Sequence, residues 1–411
     1  MDHREHESST ELSVGRRVLL VTPQPFYEDR GTPIAVRFVS RALGELGYDV
    51  DLLAFPIGQT VSLPRVTIWR SGNPLQLNSV SIGFSWKKAL LDASLWQSFR
   101  NRLRVDRYDV VHAFEEAAYL ASNLCPSRGV PFIYDMASAI PVELRRHAIF
   151  RSRPMQSVLS SIERAALNRA SHVICSTGLA HYVSQKSPMT PVSEWRFPVV
   201  DQEQDESLVT SLRRNLDIAP QDWVLLYTGN FASYQGVDVL FAAFRIALRT
   251  APQLLLVCVG ATDAELVSWQ RKIDAESARR ARIIARRPAH EIPMYLSLAD
   301  CLVSPRHATD NVPLKIFDYM GSGKPIIATR GRAHEPLLNP ERAVLCDATP
   351  ESLASAIVDT IARPEQARAL ARTAAEYAHR HFGWRAFVEF IRVTYCGVLE
   401  RGNCSARLSN V

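Results

Sequence analysis

Arg306, Asp310, Lys315 and Asp318 lie in one stretch, CLVSPRHATDNVPLKIFDYMGSGKPIIAT, residues 301–329. It reads as strand, loop, helix, turn, strand. Leu302 and Val303 end an apolar run, and 304–312 is polar and turn-rich. Pro313 suits the first position of a helix, where a missing N–H costs nothing. Gly321 and Gly323 stop that helix near Met320, and Ile326 to Ala328 form a short strand. The first turn of a helix offers unpaired N–H groups and the positive end of the dipole, a common phosphate site. Arg306 and Lys315 are placed to hold a diphosphate, and Asp310 and Asp318 to accept hydrogen bonds from sugar or ribose hydroxyls. That set of groups suits a nucleotide-sugar. The ordinary alternative is that the carboxylates cap the helix and the cations are solvated. A Walker loop is excluded: Gly-Ser-Gly-Lys at 321–324 lacks the first glycine, since 318 is Asp, and Lys324 precedes Pro325 rather than Ser or Thr.

A second set of polar residues follows strands of the first half. His112, Glu115 and Glu116 stand at the end of YDVVHA, and Asp135 ends FIYD. Ligands of α/β folds gather at such strand ends. These residues suit a general base or a hydroxyl contact. A Glu in a first helical turn also simply favours the dipole. Gly31, in PQPFYEDRGTPI, allows close approach of backbone to a ligand. The loop has no G-x-G-x-x-G, which argues against a dinucleotide cofactor.

These residues need strands to hold them. RVLLVT at 17–22, a helix over 34–46 and YDVDLLA at 48–54 form a β-α-β unit, which implies a parallel sheet. The pattern restarts at WVLLYT, 223–228, with strands at 254–259 and 282–285 and a short helix over 293–298. Residues 353–381 read as a polar helical pair, and a final amphipathic helix begins near Phe382. The region 84–107 differs: Leu90, Leu91, Leu95, Phe99 and Leu103 recur at helical spacing among Lys87, Lys88, Arg100, Arg102, Arg104 and Arg107. Such a helix packs on the sheet with a solvated basic face, or lies on an anionic membrane.

The chain has 411 residues, 47% hydrophobic and 22% charged, enough for two domains with sizeable cores. A net charge of +6 fits anionic substrates or an anionic membrane surface. No basic block with interleaved aromatics marks a nucleic-acid module. Seven scattered cysteines show no metal-ligand spacing, so no metal is expected, and a reducing cytosol is the natural compartment. The polar N-terminus has no secretory h-region, and no apolar run reaches membrane-span length.

The segment PRHATDNVPLKIFDYMGSGKPIIAT resembles the donor-binding region of family 4 glycosyltransferases, with Asp310 and Asp318 where that family usually has two Glu. YTGNFASYQG and RGTPIAVRFVSRALGELGYDVDLLAF resemble a subgroup of it. The resemblance covers nearly the whole chain. It implies an α/β, GT-B fold: two doubly wound, Rossmann-like domains facing a cleft, with the C-terminal helix crossing back. The expected divisions are a disordered tail at 1–14, an acceptor-side domain at 15–199, and a nucleotide-sugar domain at 200–380. The returning helix is expected at 381–400 and a loose tail at 401–411, with a hinge near 200.

The resemblance also implies retaining transfer of a sugar, without a metal or other cofactor, from a UDP- or GDP-linked donor to an acceptor hydroxyl. The implied donor site comprises Gly31, Gly229, Asn230, Gln235, Gly236, Arg306, Asp310, Asn311, Lys315 and Asp318. The implied catalytic candidates are Asp135, His112 and Glu115. The acceptor stays open among glycans, glycolipids and small molecules. The expected place is the cytoplasm, including its membrane surface through 84–107. Asn230 and Gln235 stand where the family usually has Arg and Lys, and Ala137 where it often has His or Asp. The alternatives are therefore a catalytically inactive sugar-nucleotide-binding partner subunit, or a GT-B epimerase or hydrolase.

Overall fold

The computed structural model describes residues 15–28, 31–74, 76–78, 80, 85–145, 148–199, 206–306 and 312–408. The chain divides into two compact units. Unit 1 comprises Met1–Arg196 with Arg385–Val411, and unit 2 comprises Phe197–Trp384.

Unit 1 is built on a parallel sheet of seven strands: β1 (Arg17–Val21), β2 (Asp49–Ala54), β3 (Val66–Arg70), β4 (Val110–Phe114), β5 (Phe132–Met136), β6 (His172–Cys175) and β7 (Val192–Glu194). Their order is β3-β2-β1-β4-β5-β6-β7. Its helices are α1 (Gly31–Glu45), α2 (Trp86–Val105), α3 (Ala117–Leu124), α4 (Ile140–Leu144), α5 (Arg153–Arg169) and α6 (Ala180–Lys186). The strands β1, β2, β4 and β5 are buried on both faces, as crossover helices require, so they read as unbroken apolar runs rather than alternating ones. On one face, Leu91, Leu95, Phe99 and Leu103 of α2 share a core with Ala117 and Ala121 of α3 and with Ala166 and Leu167 of α5. Fully burying one Leu or Phe contributes about 1.5–3 kcal/mol, so the four-residue stripe of α2 holds that helix firmly. Ser85 caps it, its hydroxyl accepting from the Lys88 amide at 3.2 Å.

Unit 2 has a six-stranded parallel sheet: β8 (Trp223–Thr228), β9 (Leu254–Ala261), β10 (Ala281–Ala285), β11 (Cys301–Ser304), β12 (Ile326–Thr329) and β13 (Val344–Cys346), ordered β10-β9-β8-β11-β12-β13. Its helices are α7 (Glu206–Asn215), α8 (Val237–Leu248), α9 (Asp263–Lys272), α10 (Ala275–Arg280), α11 (Ile292–Leu298), α12 (Lys315–Gly321), α13 (Pro350–Ala362) and α14 (Pro364–Phe382). Helix α15 (Trp384–Leu408) starts at the last residue of unit 2, and its body from Arg385 belongs to unit 1. There Phe387 packs on Phe38 of α1, with ring centroids 6.1 Å apart. Cys125, Cys175, Cys258, Cys301 and Cys346 are free and buried, as small core residues.

Several expectations need correction. The sheets carry β3, β7 and β13, which the apolar runs did not reveal. The 401–411 tail was expected to be loose, but α15 continues to Leu408. Helix α12 starts at Lys315, so Pro313 precedes its first turn, accepting from the Ile316 amide at 3.0 Å. The expected hinge falls largely on 200–205, and the expected N-terminal tail on 1–14, both outside the described residues.

Candidate functional site

In unit 2 the candidate site forms at the C-terminal edge of the sheet, where β8, β11 and α12 come together. The chain leaves β8 through Gly229, at φ +136°, and passes β9 so closely that a Cβ on Gly260 would lie 2.4 Å from the Gly229 carbonyl oxygen. The Tyr227 hydroxyl donates to the Asn230 carbonyl at 2.6 Å. The Asn230 side chain folds back onto its own turn, accepting from the Ala232 amide at 3.2 Å. Gly236, at φ +71°, opens α8, a conformation glycine adopts without strain. Beside it Gln235 is buried, and its Oε1 has no hydrogen-bond partner among the described residues. Leaving such an atom unpaired costs about 1–3 kcal/mol. A ligand donor would satisfy it.

Lys315, the first residue of α12, reaches back to β8. Its Nζ donates to the Thr228 carbonyl at 3.2 Å and lies 4.1 Å from the centre of the Tyr227 ring. Burial, then the nearby Arg306 guanidinium, hold this amine well below the ordinary lysine range. The side chain nevertheless keeps some access to solvent. Arg306 is buried, with its guanidinium 5.1 Å from the Tyr234 ring. The Arg306 charge adds to the desolvation of Lys315, which has no carboxylate on it among the described residues, and an anion there would relieve it. One turn along α12, burial pushes the Asp318 carboxyl up to about 7.

His334 supports this edge. Its Nδ1 donates to the Thr329 carbonyl at 2.7 Å, an assignment forced because a carbonyl only accepts. Its Nε2 then accepts from the Ser304 hydroxyl at 2.8 Å. Burial, the largest influence, lowers it to about 4, so the ring is neutral. Thr329 in turn donates to the Arg306 carbonyl at 2.5 Å, fixing the backbone that carries the guanidinium. The Tyr319 hydroxyl accepts from the Thr228 amide at 2.9 Å and lies 3.1 Å from the Thr228 hydroxyl, with which it shares a proton in either direction. The sequence reading missed Tyr227, Tyr234, Tyr319 and His334. Tyr227, Tyr234 and Tyr319 look like ordinary strand, loop and helix aromatics, and a lone His in a polar loop carries no signal.

In unit 1 the three acceptor-side candidates separate. His112 and Asp135 lie mid-sheet and are buried, at 0% and 2% exposure. His112 Nδ1 meets the Tyr395 hydroxyl at 2.8 Å, and Asp135 Oδ1 accepts from the Trp195 indole at 2.8 Å. Between them His112 Nε2 and Asp135 Oδ2 face each other at 3.5 Å, too far for a well-formed hydrogen bond. Their arrangement ties Trp195 and α15 to the sheet, and neither side chain meets solvent. Burial raises Asp135, opposed by His112.

Glu115 is different. It lies at the C-terminal edge with φ +50°, a conformation rare outside glycine and typical of functional positions. Its carboxylate accepts from the Thr32 hydroxyl at 2.5 Å and from Gln24 Nε2 at 3.1 Å. It therefore joins the loops after β1 and β4. Gly31 opens α1 at this edge, exposed, and a Cβ there would meet nothing within 4 Å. Nearby Lys88 pairs with Glu116 and lies 3.7 Å from Asp92, whose carboxyl burial pushes up to about 6.

The structure thus brings Gly229, Asn230, Gln235, Gly236, Arg306, Lys315 and Asp318 to one edge of unit 2. It places Gly31 and Glu115 at one edge of unit 1. Asp310 and Asn311 lie outside the described residues. Among those described, no group of His, Cys, Asp and Glu could hold a metal ion, and no helix is long and apolar enough to cross a membrane.

The family model "Glycosyl transferase 4-like domain" matches residues 30–184, and "Glycosyl transferases group 1" matches 222–363. The D-inositol 3-phosphate glycosyltransferase of Segniliparus rotundus is 26% identical over 196 residues, 46% of this chain and 43% of that relative. The match therefore spans less than half of that relative's length. Among solved structures, sucrose-phosphate synthase from Thermosynechococcus elongatus superposes with a TM-score of 0.76 at 20% identity, covering 94% of this chain and 100% of the other. Anabaena HepE, solved with UDP and glucose, gives 0.71 at 16% identity, covering 93% and 99%. These likenesses show a fold of two parallel-sheet, Rossmann-like domains, the GT-B architecture. With the two family models matching in turn across both of its sheets, the chain belongs to the group 1, family 4-like glycosyltransferases.

Proposed function

We propose that the protein transfers a sugar, with retention of configuration, from a UDP- or GDP-linked donor to an acceptor hydroxyl. The observation that carries this reading is the desolvated Lys315 ammonium beside Arg306, at a glycine-lined strand edge. This is a site prepared for a polyanion. HepE, a fold relative, holds UDP and glucose. In the proposed reaction the bond from the anomeric carbon to the diphosphate breaks, and a new bond forms to the acceptor oxygen on the same face. The acceptor proton passes to a diphosphate oxygen. Arg306 and Lys315 meet the charge that develops on the leaving group, stabilising the transition state electrostatically. Asp318 holds a donor hydroxyl, and Asp310 and Asn311 complete that contact. Glu115 orients the acceptor from the edge of unit 1. No metal or other cofactor takes part. The protein works in the cytoplasm, touching the inner face of an anionic membrane through 84–107.

The test is a calorimetric titration of UDP, GDP and their sugar conjugates against wild type, Arg306→Ala and Lys315→Ala. Tight binding of one nucleotide, lost in both variants, supports the donor site. Binding indifferent to both substitutions removes it. Binding without sugar transfer to any acceptor or to water moves the protein to the inactive-partner reading. Release of free or epimerised sugar moves it to the hydrolase or epimerase reading.

A further inference from the structure

Large apolar side chains left in solvent are unevenly distributed. In unit 2 the described examples are Leu208 and Val267, both on outer helices. In unit 1, besides Trp69, Val105, Met189 and Val393, which lie apart, they gather on α2 as far as Trp96 and on the segment from α4 to α5: Trp86, Leu90 and Trp96 on the one, Val142, Ile149, Met155, Val158 and Ile162 on the other. At about 100° per residue, Trp86 and Leu90 point away from the buried stripe of α2, so they are not ragged edges of its core contact. Trp86 is 62% exposed, Ile149 71% and Val158 54%. Met155, Val158 and Ile162 fall within about 60° of one another on α5.

The segment before α5 is held in place. Gln156 receives the Arg145 guanidinium at 2.7 Å and donates to the Phe150 carbonyl at 2.8 Å, which fixes the turn that displays Ile149. A crossover helix in a parallel sheet starts at the C-terminal edge of the strand it follows. Trp86 and Leu90 open α2 after β3, and α4 and the start of α5 follow β5. All therefore stand at the edge where Glu115 and Gly31 lie. The exposed charges around them are mainly basic, with Glu143 of α4, exposed but engaged, as the acidic exception. Lys87, Arg151 and Arg153 are exposed at this edge, and Arg100, Arg104 and Arg164 are exposed farther along α2 and α5. The acidic groups nearby are mostly engaged: Glu163 is buried against Lys186 and Tyr182, at 2.7 and 2.6 Å, and Asp106 pairs with Arg102 at 2.8 Å.

We propose that this edge of unit 1, from the start of α2 to α4–α5, docks on an anionic lipid bilayer. This rests on the membrane contact already proposed for 84–107. It adds the α4–α5 element, which the basic composition of 84–107 does not imply, and it points to an amphiphilic acceptor drawn from that bilayer. Trp86, Leu90, Ile149 and Val158 enter the headgroup boundary, and the long basic side chains reach the lipid phosphates. A second copy of the chain fits less well, because a two-fold contact would set the same basic face against itself.

The experiment is co-sedimentation with vesicles of phosphatidylcholine alone or mixed with phosphatidylglycerol. The proteins are wild type, the pair Trp86→Ser with Leu90→Ser, the pair Val158→Ser with Ile162→Ser, and the pair Arg151→Glu with Arg153→Glu. Wild type is expected to sediment with the mixed vesicles alone, and each pair to lose about tenfold in partitioning with an unchanged melting temperature. Failure of wild type to bind the mixed vesicles overturns the proposal. So does an α5 pair that binds like wild type, or a wild-type dimer that the same pairs dissociate without changing vesicle partitioning. Nucleotide titration of these variants in solution separates the two readings. Loss of vesicle binding should leave it unchanged, and a wild type that binds no nucleotide sinks the donor site alone.

Discussion

Two polar clusters in this molecule lie in apolar surroundings, and they are finished differently. In unit 1, His112 and Asp135 are enclosed: Tyr395 and Trp195 engage their outer atoms, while His112 Nε2 and Asp135 Oδ2 face only each other at 3.5 Å. In unit 2, Lys315 is desolvated beside another cation and takes a carbonyl and an aromatic face, and at the same strand edge the Gln235 oxygen is unpartnered. A buried polar pair closed away from solvent, with its partners drawn from the fold, holds the fold. One left wanting a counter-charge stores a cost that a ligand can relieve. The difference teaches which cluster serves architecture and which serves binding.

Substitution should separate the two. Asp135→Ala removes the acceptor of the Trp195 indole and leaves His112 facing a void. We expect a loss on the order of 3 kcal/mol in denaturant unfolding, with nucleotide affinity of the folded fraction unchanged. Lys315→Ala should do the reverse. Charge-assisted contacts to a diphosphate contribute about 1.5–3 kcal/mol, so UDP affinity should fall roughly 10- to 100-fold by calorimetry while thermal stability holds or rises. An Asp135 variant that folds normally and loses nucleotide binding would break the contrast.

A smaller effect would sharpen it from the unit 2 side. Helix α12 is braced by the residues at which the chain enters and leaves this unit. The Val199 amide donates to the Phe382 carbonyl at 2.6 Å, and Phe317 packs on Phe197 and Phe382 at 5.9 and 5.0 Å. A Cβ on Gly321 would lie 2.0 Å from Val199 Cγ1. Gly321→Ala should therefore cost about 1–3 kcal/mol and weaken UDP binding several-fold by displacing α12. Adding Val199→Ala should restore both. A double variant no better than the single would show that Val199 is not the obstacle.

The sequence carried much of this, unevenly. Long apolar runs such as 17–22 and 223–228 gave the central strands, because parallel sheets covered on both faces cannot alternate. β3 escaped because VTIWR is half exposed at an edge, and β7 and β13 because three residues leave little pattern. Arg306 and Lys315 were legible as cations flanking a helix start. The neighbourhood that gives Lys315 its character was not, since Tyr227 comes from a strand far off in sequence. His112 and Asp135 misled for the opposite reason. Their types suggest chemistry, but burial depends on Trp195 and Tyr395, long-range partners that spacing does not reveal.

The last test uses protons. Asp318 is raised by burial to about 7, so the folded state holds its proton where the unfolded chain, near 3.8, has released it. Its contribution is fully present below about pH 4 and is lost as pH rises to about 7. His334 is lowered from 6.5 to about 4, so the unfolded chain takes up a proton first as pH falls, and stability declines from about 6.5 down to about 4. The two slopes oppose each other within one site. Asp318→Asn should remove the alkaline loss and leave the acid one, giving a variant that gains on wild type steadily from about pH 4 to about pH 7 in urea unfolding. If nucleotide binding instead draws on an ionised Asp318, UDP should release a proton at pH 6, seen as a buffer-dependent binding enthalpy that the Asn variant lacks. Identical pH profiles for the two proteins would mean that the carboxyl is solvated, and would remove Asp318 from the desolvated cluster that distinguishes unit 2.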